Sequence, residues 1–239
     1  AALRATVRMT NGKASGTAWV VRTEMPPRTV LVTAGHVFDE MKDLPCRLIW
    51  RAAGPDETSV RREVETPIRD GDRPLWVRHP DLDVAAMPIV LPAGVDCQPF
   101  AWKQLADEQA LRDRRVQVGQ ELFIPCFPVQ VEANAAGWPI LRRGSLATHP
   151  LLPVAEVRDY YVDYSHFGGD SGAPVVAFPA DQPLVIGLVY AMHRQTENIT
   201  TDFEIRTIHT PLHLAHVVPA PFIRATIERL EPSRESSSQ

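Results

Sequence analysis

The chain has 239 residues, 44% of them hydrophobic and 23% charged, which is enough to bury a full core without covalent staples. A net charge of -4 gives no basis for a nucleic-acid or anionic-membrane partner. No run reaches the roughly 18 apolar residues that a spanning helix needs, which argues against a membrane span.

The 22 prolines are scattered along the whole chain, a spacing that suits short strands joined by turns. Cys46, Cys97 and Cys126 are odd in number, and none lies beside the chemistry-bearing residues below. They read as three reduced thiols in a reducing compartment, hence cytoplasmic rather than secreted; one disulfide plus one free thiol is the rival reading. No signal-peptide pattern is visible after Ala1.

In chain order, Leu3–Met9 alternates as a first strand, and Asn11-Gly12-Lys13 is a turn. Gly16–Arg22 and Thr29–Thr33 are the second and third strands. Arg47–Arg51 and Val60–Glu65 are weaker ones, and Leu75–Arg78 and Val84–Val90 resume the pattern. Ala101–Arg115, after Pro92 and Pro99, is charged and weakly helical and reads as a connection between two halves. Strands return at Glu121–Ile124, Ile140–Ala147, Tyr160–Asp163, Ala173–Phe178, Leu184–Tyr190 and Phe203–Ile208. After Pro211 the pattern turns helical, with Phe222, Ile223, Ile227 and Leu230 on one stripe. Glu231–Gln239 is Ser-rich and polar, a disordered tail or a linker. The fold class is therefore all-β, a sandwich or barrel architecture with a C-terminal helical segment.

Three stretches carry chemistry: Thr33-Ala34-Gly35-His36, Asp83-Val84-Ala85-Ala86-Met87, and Gly168-Gly169-Asp170-Ser171-Gly172-Ala173-Pro174. Each alone is weak, but in the order His, Asp, Ser they are strong. A serine hydroxyl needs a base near neutral pKa within hydrogen-bond reach, which is His36, and a buried carboxylate, Asp83, to fix the tautomer and bear the imidazolium. Asp81 is the rival carboxylate and reads as a solvated turn residue.

With these motifs the chain resembles the trypsin-like serine peptidases of the chymotrypsin fold, and most closely their bacterial high-temperature-requirement branch. Ser15-Gly16-Thr17-Ala18-Trp19, Val118-Gly119-Gln120-Glu121-Leu122, Arg143-Gly144-Ser145-Leu146 and Val185-Ile186-Gly187-Leu188-Val189 extend the likeness over roughly residues 3–217. The resemblance implies two six-stranded antiparallel β-barrels, 1–95 carrying His36 and Asp83 and 116–210 carrying Ser171. Residues 96–115 would connect them, 211–230 would be the helical segment and 231–239 the tail. It implies a catalytic triad of His36, Asp83 and Ser171, and an oxyanion hole from the N–H groups of Gly169 and Ser171. Gly172 would allow close packing behind the nucleophile. No Ile-Val-Gly-Gly start is present to pair with Asp170, which is expected to shape the oxyanion loop locally; a regulatory partner or loop rearrangement would then control activity.

The same resemblance places the specificity pocket at Ser165, His166, Val189, Tyr190 and Met192. No acid stands at Ser165 and no His at Val189, so apolar or small residues are expected before the scissile bond, not Lys, Arg, Glu or Gln. His166 either lines the pocket or points outward. An acid from another loop, Asp202 or Glu204, is the route to a basic preference. His209, His213 and His216 lack the partners of a zinc pattern, so no metal or cofactor is expected. A polypeptide is the expected substrate. Two rivals remain: a catalytically silent or partner-activated peptide-binding module on the same fold, and an α/β-hydrolase esterase, against which the triad order and Ala173 both argue.

Overall fold

The computed structural model describes residues 2–41, 45–201 and 203–230. The Ser-rich end, 231–239, and Asp202 lie outside them. Short β-branched runs pair almost entirely antiparallel, as expected of strands interrupted by Pro and Gly. A helical turn, α1 (Ala2–Ala5), precedes β1 (Thr6–Thr10), β2 (Ser15–Arg22) and β3 (Thr29–Thr33). Next come α2 (Gly35–Asp39), β4 (Cys46–Ala53), β5 (Ser59–Thr66), and the two-residue strands β6 (Arg69–Asp70), β7 (Arg73–Pro74) and β8 (Val77–Arg78). β9 (Ala85–Pro88) and β10 (Phe100–Ala101) complete this half. One sheet takes eight of these strands in the order β5-β4-β1-β2-β3-β9-β8, with β10 on β2. Six of them are the longer strands of the first half; β8 and β10 are two-residue additions.

After α3 (Glu108–Asp113), β11 (Glu121–Cys126), β12 (Ile140–Leu146), a turn of helix α4 (Val154–Val157), β13 (Tyr160–Asp163), β14 (Pro174–Ala177), β15 (Leu184–Thr200) and β16 (Ile205–Pro219) follow. Their six strands close a barrel in the order β11-β12-β13-β16-β15-β14. The last helix, α5 (Ala220–Glu228), buries Ala220, Ile223, Thr226 and Ile227. It packs against β9 of the first sheet and β15 of the barrel, so it spans both halves.

Three elements depart from the expectations. Leu3–Ala5 is helical, not strand. Arg51, fully buried, donates to the carbonyls of Leu3, Arg4 and Thr6 and so satisfies the end of that turn. Second, β15 runs on to Thr200, ten residues past Tyr190. Third, the barrel strand β16 continues through Pro211 to Pro219, and the helix begins at Ala220 rather than near 211. His209, His213 and His216 therefore lie on a strand. The reason is tertiary: each strand of this arm finds its partner in the other, from Ala191↔His216 out to Thr200↔Ile205.

Candidate active site

Register brings His36 and Asp83 together. β3 pairs with β9 so that Thr33 faces Ala85. The chain leaving Thr33 and the chain entering Ala85 therefore emerge at the same sheet edge. His36 sits in the first turn of α2, three residues past Thr33, and Asp83 two residues before Ala85. His36 Nδ1–H donates to Asp83 Oδ2 at 2.5 Å, and the His36 backbone N–H donates to Oδ1 at 3.0 Å. Arg78 Nη2 donates to the same Oδ1 at 2.7 Å, while its Nη1 reaches Asp39 Oδ2 at 2.8 Å. Gly35 makes room for this convergence: a Cβ there would lie 2.6 Å from Arg78 Nε and 2.9 Å from Asp83 Oδ1. Asp81 faces solvent and Arg158 instead, at 3.2 Å.

The electrostatics of the pair follow from this geometry. Burial is the largest influence on His36 and opposes its charged form, but the hydrogen bond and charge of Asp83 together outweigh it, and the imidazole pKa is raised. Burial likewise opposes the Asp83 carboxylate. His36 and Arg78 outweigh it, and the pKa is lowered. The ion pair is thus favoured in both partners.

Ser171 stands in the loop between β13 and β14. Gly172 N–H donates to Val189 O and Val189 N–H to Ala173 O, at 2.7 and 2.9 Å, extending the β14–β15 pairing up to the serine. Ser171 Oγ donates to Tyr190 O at 3.5 Å and has no hydrogen bond to His36 among the described residues. Both His36 and Ser171 line one groove of about 410 Å³, with Lys13, Ser15, Glu40 and Gly169 on its other sides. Gly169 has φ +95°, and a Cβ there would lie 2.4 Å from Phe127 O, so the loop's turn requires glycine. Among the described residues, neither the Gly169 nor the Ser171 N–H is used as a donor within the chain.

The loop is held from both halves. Thr17, on β2, donates its N–H to Ser171 O at 2.9 Å and its Oγ1 to Gly169 O at 2.7 Å. Asp170 is fully buried; its Oδ2 accepts from Tyr164 OH at 2.5 Å, Phe167 N–H at 2.9 Å and Arg142 Nη1 at 3.4 Å. The Arg142 guanidinium also lies 4.5 Å from the Tyr164 ring centroid. Sequence reasoning singled out neither Thr17 nor Arg78 nor Arg142 as a site residue. A threonine in a strand and arginines in charged stretches carry no local signal of what they touch.

None of the five residues expected at the pocket lines the 410 Å³ groove, although the Tyr190 carbonyl accepts from Ser171 Oγ, which does. Val189 is fully buried. Ser165 Oγ is 2.7 Å from His213 Nδ1. His166 is 7% exposed, both of its ring nitrogens are without a partner among the described residues, and burial lowers its pKa. Tyr190 and Met192 are half-buried, and burial followed by the Asp159 charge pushes the Tyr190 phenol upward. Glu204 is exposed at the far end of the β15–β16 arm. Cys46, Cys97 and Cys126 are all free. No group of three or more His, Cys, Asp or Glu able to hold a metal occurs among the described residues, and no helix among them is long and apolar enough to cross a membrane.

No protein-family model matches the chain, and no curated protein does. Solved structures do. The Rv3671c protease of M. tuberculosis H37Rv, as a serine-to-alanine mutant in an inactive form, is similar at TM-score 0.53 and 14% identity, over 97% of this chain and 90% of that one. The inactive form of the Rv3671c protease gives TM-score 0.52 and 14% identity, over 97% and 91%. The fold is that of a chymotrypsin-like protease, and the likeness does not single out the high-temperature-requirement branch.

Proposed function

We propose that the chain is a serine endopeptidase that hydrolyses peptide bonds through an acyl-enzyme on Ser171. The observation that carries this reading is the His36–Asp83 pair, doubly bonded and backed by Arg78, in one groove with Ser171 on a protease fold. Asp83 holds the proton on Nδ1 and leaves the Nε2 lone pair free to act as base. In the first step Ser171 Oγ leaves the Tyr190 carbonyl and gives its proton to His36 Nε2 as it bonds to the substrate carbonyl carbon. The uncommitted N–H groups of Gly169 and Ser171 suit the oxyanion that forms. His36 then returns the proton to the leaving amine as the peptide C–N bond breaks. Water repeats the sequence on the ester and frees Ser171.

Apolar or small residues before the scissile bond are the proposed preference. None of the five residues at the expected pocket is a carboxylate, and burial lowers the His166 pKa, so a Lys or Arg side chain would meet no counter-charge on those residues themselves.

A second reading, a silent or partner-activated module, is favoured by one observation. Ser171 Oγ hydrogen-bonds to Tyr190 O, and no hydrogen bond joins it to His36 among the described residues. A fluorophosphonate separates the two. Labelling of the wild-type chain that is lost in Ser171→Ala supports the enzyme; a folded wild type that stays unlabelled refutes it in favour of the module.

A further inference from the structure

We propose that His193 on β15 and His216 on β16 form a two-histidine site for a borderline-soft divalent metal, of which Zn²⁺ is the type, with Asp159 as the carboxylate that orients it. The register sets the pair side by side: Ala191 faces His216 and His193 faces Leu214, with an irregularity in the ladder just before and just after. His193 Nδ1 lies 3.3 Å from His216 Nε2. Two imidazole nitrogens on one tetrahedral Zn²⁺, at about 2.0–2.1 Å each, stand about 3.3–3.4 Å apart. The observed separation lies within hydrogen-bond reach and also matches the span of a shared metal.

The rest of the surroundings fit a ligand role. His216 Nδ1–H donates to Asp159 Oδ2 at 2.6 Å, and Asp159 Oδ1 is fixed by the Val217 N–H at 3.2 Å. That leaves the Nε2 lone pair of His216 facing His193, the carboxylate–histidine–metal arrangement. The Tyr161 ring, 4.8 Å from the His216 ring, sets the imidazole's plane. The His216 side chain is 17% exposed and His193 is exposed, so water has room to complete the coordination. The other histidines of the arm are committed to hydroxyls: His209 to Thr196 Oγ1 and His213 to Ser165 Oγ. A metal here would join β15 to β16 close beside Tyr190, whose carbonyl receives Ser171 Oγ.

The test needs no peptidase activity and therefore does not depend on the proposed function. Chelator-treated full chain is titrated with ZnCl₂ in a calorimeter near neutral pH. About one Zn²⁺ per chain is expected. His193→Ala and His216→Ala should each weaken it at least about tenfold, and Asp159→Asn by about 10–100-fold with both ligands intact. His209→Ala should leave it unchanged. His193 is exposed, so that variant keeps the fold even if His216→Ala does not. Undiminished Zn²⁺ binding in His193→Ala, or no binding by the wild type at hundreds of micromolar Zn²⁺, overturns the proposal and leaves the pair as an ordinary histidine–histidine hydrogen bond.

Discussion

Asp83→Asn isolates what the carboxylate does. Asp83 receives three donors: His36 Nδ1–H at Oδ2, and the His36 N–H and Arg78 at Oδ1. An asparagine has one oxygen for these three. If that oxygen stays at the Oδ1 position, it keeps two of them, and the new NH₂ faces His36 Nδ1. The ring must then accept there and carry its proton on Nε2, where no base remains for Ser171. The flipped amide would restore Nδ1–H but set NH₂ against the His36 N–H and the Arg78 guanidinium. The unmet His36 N–H costs about 1–3 kcal/mol and the part-exposed Arg78 guanidinium under about 1, so the first orientation wins. The same substitution in a comparable triad lowers turnover about 10⁴-fold, which is about 5.5 kcal/mol of barrier. Arg78 is 41% exposed in its side chain, so its loss of a full charge partner should cost under about 1 kcal/mol of stability. The assay is kcat/KM on a fluorogenic peptide pool, beside the rate of fluorophosphonate labelling and the imidazole N–H signals by NMR. A folded variant within about tenfold of wild type, with the proton still on Nδ1, would refute the tautomer argument.

The raised pKa of His36 predicts that kcat/KM rises with pH along a limb lying above the free-histidine value of about 6.5. Arg78→Ala removes a charge that lowers this pKa, so the limb should move further to the alkaline side, and a shift to lower pH would contradict the assignment. The same groups contribute to stability with opposite signs. The His36 contribution is full below about 6.5 and is lost as pH rises through its raised folded value. The Asp83 contribution is present above about 3.9 and is lost as pH falls through its depressed one; urea midpoints against pH would show both. Thr17→Val keeps the β2 shape but removes the donor to Gly169 O, and should lower kcat by about 10-fold or more with KM little changed, as for a positioning loss of about 1.5 kcal/mol. Burial pushes the Cys46 thiol up to about 12 and Cys97 to about 11, and raises Cys126 as well, so a thiol reagent should titrate three groups in denaturant and react far more slowly with the native chain. Rapid native labelling, or fewer than three groups in denaturant without reductant, would count against three free thiols, two buried and one half-buried. Peptides with Lys or Arg before the scissile bond should be cut more slowly than apolar or small ones in a library profile; a basic preference would refute the uncharged pocket.

The sequence by itself determined the periodic parts of this protein. Thr29–Thr33 and Tyr160–Asp163 form strands over the same residues that their β-branched or aromatic composition marks, because such a run between turn residues has few other ways to satisfy its backbone. It also supplied three chemistry-bearing motifs, since residue type and order are local properties. Tertiary structure decided what depends on distant partners. Only the β3–β9 register sets Asp83, and not Asp81, against His36, and only the fold reveals Arg78 on the far oxygen and Thr17 clamping the Ser171 loop. Within the exposed arm from His193 to His213 the sequence marks only Phe203–Ile208 as strand, and the full length of its two strands holds because each supplies the other's hydrogen bonds. For the same reason His193, His216 and Asp159, 57 residues apart at their widest, become neighbours. Hydrogen bonding across a ladder is a pairwise property of two chain segments, and neither segment alone encodes its register.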